Sequence, residues 1–291
     1  MKKIIFLAAA TLALAACNND NIIDEPVAAK ITATISNGNA SRASGASWGA
    51  GDKIGITMGD KYFNMCYTTP DDKGLFTGTA MYFTNHTEPV NFTAYYPFTG
   101  TEGTAPGTIE WTVTAEDQTS EKQVEFDFLY AREDGVTGES AKVAFQFSHM
   151  MSKLTFIFKS GAGADVSKIA SYSVEGLVMD GTFDTATGEC KAKATSASPL
   201  TFTLTDVKEE EKLPALIVFP QDGSAAMLRI KDSEGQDYEC SLPFDNNALE
   251  SGNNYQFTVT VSKTGLTINK STITDWNTME SSTGAGSVNP K

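Results

Sequence analysis

Two tandem antiparallel β-sandwiches with Greek-key connections, an all-β protein, are predicted from three observations. Apolar residues recur at every second position in run after run, as half-buried strands require. Turn clusters punctuate those runs at Thr69-Pro70-Asp71-Asp72-Lys73-Gly74, Asp134-Gly135, Gly161-Ala162-Gly163 and Asp222-Gly223. At 291 residues the chain is long enough for two cores of ordinary size, and period-3.6 segments are almost absent beyond its first residues.

Residues 1–16 stand outside the fold. Lys2 and Lys3 precede an apolar run from Ile4 to Ala16 broken only by Thr11, which reads as a secretory signal too short for a comfortable membrane span. Leu14-Ala15-Ala16-Cys17 resembles a bacterial lipobox, in which Cys17 is lipidated and becomes the mature amino terminus. The polar run Asn18-Asn19-Asp20-Asn21 lets the body stand off the membrane.

The first alternating run, Lys30 to Ser36, points Ile31, Ala33 and Ile35 to one face and Thr32, Thr34 and Ser36 to the other. The same reading holds for Val143/Phe145/Phe147, Leu154/Phe156/Phe158, Leu200/Phe202/Leu204 and Tyr255/Phe257/Val259/Val261. Strands up to Ser148 suffice for one sandwich, and Leu154 to Ile273 holds a second, which puts the junction near His149. The expected units are a lipidated lead over 17–42, sandwiches over 43–149 and 150–276, and a polar, mobile tail over 277–291.

The formal charge of −14 becomes −16 once Lys2 and Lys3 leave with the signal. An acidic surface of that size argues against nucleic acid or anionic lipid as a partner. With Cys17 lipidated, Cys66, Cys190 and Cys240 remain; they lack zinc-ligand spacing, and a Cys190–Cys240 bridge stays open.

Several stretches now fall in order: Trp48-Gly49-Ala50-Gly51-Asp52-Lys53-Ile54-Gly55-Ile56, Val90 to Phe98 (VNFTAYYPF), Asp127-Phe128-Leu129-Tyr130-Ala131, and Phe147 to Leu154 (FSHMMSKL). Gly252-Asn253-Asn254-Tyr255, Thr264-Gly265-Leu266 and Ile273-Thr274-Asp275-Trp276 follow. After a lipobox, this succession resembles the fimbrillin family of Mfa-like pilins, over residues 17 to about 276. Each stretch also has a plain physical role. Trp48 is a core aromatic oriented by the Gly51-Asp52 turn, Tyr96-Pro97 ends a strand, and Asp127 bonds a nearby loop backbone.

The resemblance implies a transthyretin-like sandwich pair made as a lipoprotein, carried to the outer membrane and cell surface, and cut after an arginine by a trypsin-like, arginine-specific protease. Arg42 is the matching arginine and Ala43 the new amino terminus. The Lys30–Ser36 strand would leave, and a terminal segment of another fimbrial subunit would fill the groove. Burial of Ile31, Ala33 and Ile35 is worth roughly 4–7 kcal/mol, comparable with the ~5–15 kcal/mol net stability of a domain. The cut would shift the charge only from −16 to −15, so charge is not its purpose. The family's donor region corresponds to Leu266, Ile268, Ile273 and Trp276. A subunit that keeps this region paired at home could accept but not donate, as a tip subunit would; stalk and tip both stay open.

No enzyme chemistry, metal or cofactor is expected. His86 and His149 are the only histidines, far apart in sequence, and His149 suits a hydrogen-bonded structural role. Glu209-Glu210-Glu211 reads as a solvated turn, and no Gly-rich phosphate loop is present. The alternative functions are a surface lipoprotein binding glycans through Trp111 and tyrosines, or a fimbrial anchor. Asp184-Thr185-Ala186 resembles an O-glycosylation sequon centred on Thr185.

Overall fold

A computed structural model describes residues 25–35, 48–104, 107–268 and 271–276, and the backbone of 288–290. The signal, Cys17, Ser36, Arg42, Ala43 and residues 277–287 lie outside the described residues.

Strands dominate, as the period-two runs predict. Lys142–His149 buries every second residue, Val143, Phe145, Phe147 and His149, and Leu200–Leu204 buries Leu200, Phe202 and Leu204. In Ser152–Ser160 both faces are largely covered, so Leu154, Thr155, Phe156 and Phe158 are all buried.

The amino-terminal strands pair in an order that closes on itself as a barrel. Its seven staves run in the order Lys142–His149, Lys30–Ile35, Leu75–Gly78, Tyr62–Thr68, Lys53–Met58, Val90–Tyr96 and Leu129–Val136, and the last pairs back to the first. Closure leaves no open edge to attract a foreign strand. Val90–Tyr96 stops where Pro97 removes the next ladder donor.

The second unit is a sandwich. One sheet contains Leu216–Val218, Ser152–Ser160, Asn253–Ser262 and Gly265–Ile268; the other contains Asp237–Ser241, Met227–Asp232, Ile169–Glu175 and Leu200–Leu204. Phe156 of the first sheet meets Tyr172 of the second at 5.8 Å, and Tyr172 stacks on Phe202 at 5.0 Å. Most pairings are antiparallel, but Lys30–Ile35 lies parallel to Lys142–His149, and Ser152–Ser160 parallel to Asn253–Ser262.

The two cores divide the chain less simply than strand order does. The first holds Ile31, Ile54, Phe92, Val143 and Phe147; the second takes Val113, Phe126 and Phe128, which precede His149, along with Leu154 through Trp276. Thr108–Thr112 reaches it by pairing with Asp180–Asp184. Cys66, Cys190 and Cys240 are free thiols, so no Cys190–Cys240 bridge forms. The polar tail, expected to be mobile, is paired at its far end: Val288–Pro290 lies along Leu200–Leu204 and extends that sheet.

His149 and Asp127 close the seam between the cores. His149 Nδ1 lies 2.7 Å from Asp127 Oδ1, and neither side chain is exposed. Asp127 therefore bonds an imidazole and not the loop backbone expected of it. His149 ends one stave and Asp127 lies two residues before the adjacent stave Leu129–Val136, where an unpaired ring nitrogen would be costly to bury.

Candidate functional site

Lys30–Ile35 is seated between two strands. On one side it runs in parallel register with Lys142–Phe147, pairing Ile31 with Val143, Ala33 with Phe145 and Ile35 with Phe147. On the other it meets Leu75–Gly78 antiparallel through only two pairs, Ile31 with Phe76 and Thr32 with Leu75. Its exposure alternates perfectly, with Ile31, Ala33 and Ile35 at 1%, 1% and 3%. The three side chains expected to be displaced are thus core residues of the barrel.

Trp48, the first residue described after the strand, fixes its centre. The indole N–H donates to the carbonyl oxygen of Ala33 at 2.9 Å. Its ring meets Phe76 at 5.0 Å and Phe147 at 5.2 Å, both edge-on, and Tyr96 at 5.6 Å. Asp52 orients this corner as the Gly51-Asp52 turn predicts: its carboxylate accepts from Gly49 N at 2.6 Å and from the Tyr96 hydroxyl at 3.3 Å. Burial raises the Asp52 pKa above the ordinary carboxylate value, and those two hydrogen bonds offset part of the rise.

Gly74 grips the same point from the other side. Its carbonyl accepts from Ala33 N at 2.8 Å. With φ of +73°, it approaches so closely that a Cβ would run into the Ala33 carbonyl oxygen. Neither this glycine nor the Trp48–Ala33 bond is evident from the chain alone. The alternation of Val143, Phe145 and Phe147 announces a strand but not its partner.

At the other end of the chain, the expected donor region is paired at home. Gly265–Ile268 covers Val259 to Ser262, and Thr272–Asp275 covers Asn253 to Gln256, along one edge of Asn253–Ser262. Leu266 and Ile268 are half-buried against the second core, and Ile273 is 37% exposed. Trp276 is buried, stacks on His149 at 4.5 Å, and lies under the Lys153 ammonium at 5.6 Å. Burial lowers the Lys153 pKa, with the Asp127 charge opposing the shift.

Other candidate positions are occupied by the fold. Trp111 is half-buried and stacked on Phe126 at 5.7 Å, which covers one face needed for a sugar. Thr185 is 2% exposed and its hydroxyl donates to Gly107 O at 2.7 Å, so the folded chain does not present it to a glycosyltransferase. Glu209 accepts from Ser160 N and Oγ, and Glu210 pairs with Lys159 at 2.8 Å. Among the described residues no cluster of His, Cys, Asp and Glu is arranged to hold a metal ion.

A barrel built around an inserted amino-terminal strand, joined to a sandwich that covers its own edge, defines a structural β-scaffold. The chain belongs to the fimbrillin-like family, whose pattern matches residues 41–276. Residues 1–18 match the prokaryotic membrane lipoprotein lipid attachment site, which contains Cys17. No functionally curated protein matches the chain.

Among solved structures, a candidate cell adhesion protein of Bacteroides ovatus is 31% identical, with a TM-score of 0.73, covering 88% of this chain and all of its own. One from Bacteroides uniformis is 25% identical, with a TM-score of 0.69 and coverage of 87% and 99%. A fimbrilin of Porphyromonas gingivalis shares the fold at 12% identity and a TM-score of 0.51, with coverage of 86% and 99%.

Proposed function

We propose that this protein is a fimbrial subunit, made as a lipoprotein precursor and anchored through Cys17 to the outer membrane, that assembles by strand exchange at the cell surface. The observation that carries the reading is the seat of Lys30–Ile35. One stave of a closed barrel is joined covalently to the staves that follow it only through the segment that contains Arg42, and Val27–Ala28, which pairs with Tyr82–Phe83, would leave with it. Cleavage between Arg42 and Ala43 by an arginine-specific protease frees that stave to leave. Its loss opens an edge lined by Val143, Phe145, Phe147 and Phe76, which another subunit's strand covers by β-augmentation.

The closed carboxyl-terminal edge supports a tip position over a stalk position. A stalk subunit must release a donor segment, whereas Leu266 to Trp276 is committed to Asn253–Ser262 and to His149. The adhesion proteins that resemble the chain are consistent with a surface-exposed end.

The test is limited digestion of the lipid-free protein with an arginine-specific protease, followed by amino-terminal sequencing and native mass spectrometry. Ala43 at the new terminus, with capture of subunits supplied from the same fibre, is the expected outcome. Cleavage elsewhere, or a cut chain that captures nothing, overturns it.

A further inference from the structure

The seat of Lys30–Ile35 is not uniform along its length. Ile31 and Ile35 stand at its ends beside Val143 and Phe147, while the much smaller Ala33 stands at its centre beside Phe145. Trp48 contacts Phe76, the lateral neighbour of Ile31, and Phe147, the lateral neighbour of Ile35. Its indole therefore passes beneath the middle of the strand, where Ala33 takes up the least room. The Ala33 carbonyl is held from two sides, by the indole N–H and by the close approach of Gly74.

We propose that the groove left by this strand selects an occupant with a large–small–large pattern of apolar side chains at alternate positions. Its central residue is glycine, alanine or serine, and the carbonyl of that residue accepts from Trp48. Trp48 is the specificity-determining residue, because it both fills the central space and supplies the donor that fixes register. This rests on the strand-exchange reading and adds the chemistry of the partner.

The chain's own carboxyl-terminal region does not meet the requirement. Its alternate triads include Leu266-Ile268-Lys270, Asn269-Ser271-Ile273 and Thr272-Thr274-Trp276, and from Leu266 to Lys291 none places large apolar residues on both sides of a small one. Leu266 and Ile268 in adjacent pockets would force an isoleucine onto the indole. The carboxyl-terminal region of a second copy therefore does not fit the groove, and we assign the occupant to a strand of a different subunit.

The experiment uses the full chain with Cys17→Ser and a sequence-specific protease site at Arg42, so that it does not depend on the natural cut. Labelled peptides spanning Lys30–Ile35 compete for the cut protein, read by fluorescence anisotropy. The native peptide and its Ala33→Gly form should bind within about fivefold of each other. The Ala33→Leu form should bind at least about tenfold more weakly, and a Leu266–Trp276 peptide should not compete.

Equal binding by the Ala33→Leu peptide, competition by the Leu266–Trp276 peptide, or homopolymers of the cut chain alone would each overturn the selectivity while leaving exchange standing. Failure of every peptide, the native one included, would overturn exchange itself. The uncut chain gives an independent reading: Ala33→Leu must melt below the parent and below Ala33→Gly, and an unchanged melting point overturns the small central pocket whatever happens to exchange.

Discussion

His149 Nδ1 and Asp127 Oδ1 lie 2.7 Å apart with both side chains shut away from solvent, at the point where barrel and sandwich meet. Trp276 caps the imidazole from the sandwich side. Three residues distant in sequence thus tie the carboxyl-terminal edge to the end of the barrel stave that bears the inserted strand. Asp127→Asn keeps the shape and replaces the charged acceptor with a neutral amide oxygen. It should cost about 2 kcal/mol, measured by urea denaturation.

Trp276→Ala removes a buried ring that stacks on His149. A loss of about 3–5 kcal/mol is expected. Hydrogen exchange should show faster labelling of Gly265–Ile268 and Thr272–Asp275 than of the barrel staves. Uniform labelling changes across both units would contradict a local clamp.

Gly74→Ala asks a residue with φ of +73° to carry a Cβ aimed at the Ala33 carbonyl. The expected loss in the intact chain is about 1–3 kcal/mol. The steric part should vanish once Lys30–Ile35 has left, leaving only the backbone strain. Comparing melting points of cut and uncut forms separates the two.

Trp48 reports on the strand directly, because its indole N–H is satisfied by Ala33 O. Displacement of Lys30–Ile35 should move its emission to longer wavelength, and filling of the groove by a donor should move it back. An emission spectrum indifferent to strand removal would show that the indole does not depend on that contact.

Lys153 is half-buried, and desolvation holds its pKa below the usual 10.5. The folded state therefore binds fewer protons than the unfolded chain between the depressed value and 10.5. Stability from this group is diminished at lower pH and recovers as pH rises through that window. Lys153→Met should melt above the parent at neutral pH, and the gap should narrow as alkaline conditions neutralise the amine. A gap that does not change with pH would assign the effect to packing.

Much of the fold is legible in the sequence because period two is a local signal. Val143, Phe145 and Phe147 announce a half-buried strand, and Ile31, Ala33 and Ile35 announce another. What alternation does not carry is partnership. Nothing local says that these two runs lie side by side in parallel, or that the first unit closes into a barrel.

The site is divided in the same way. The importance of Lys30–Ile35 can be argued from its three inward residues, but the roles of Trp48 and Gly74 depend on contacts made after the chain has turned back on itself. Asp127 shows the converse, since its place before Phe128 suggests a local backbone bond and tertiary packing supplies a histidine instead. Thr185 has a sequence environment that invites modification and a folded environment that buries its hydroxyl.

Lys30–Ile35 lies in register with Lys142–Phe147 over its whole length, with its ladder bonds directed across the strand axis. A pull applied along that axis loads all of those bonds together, whereas a pull at right angles would open them one after another. A segment held in this seat would resist a pull along its own axis as a shear joint, and it would peel readily from one end. Resistance to an axial pull and ease of removal from one end therefore arise from the same set of hydrogen bonds, separated only by the direction of the force.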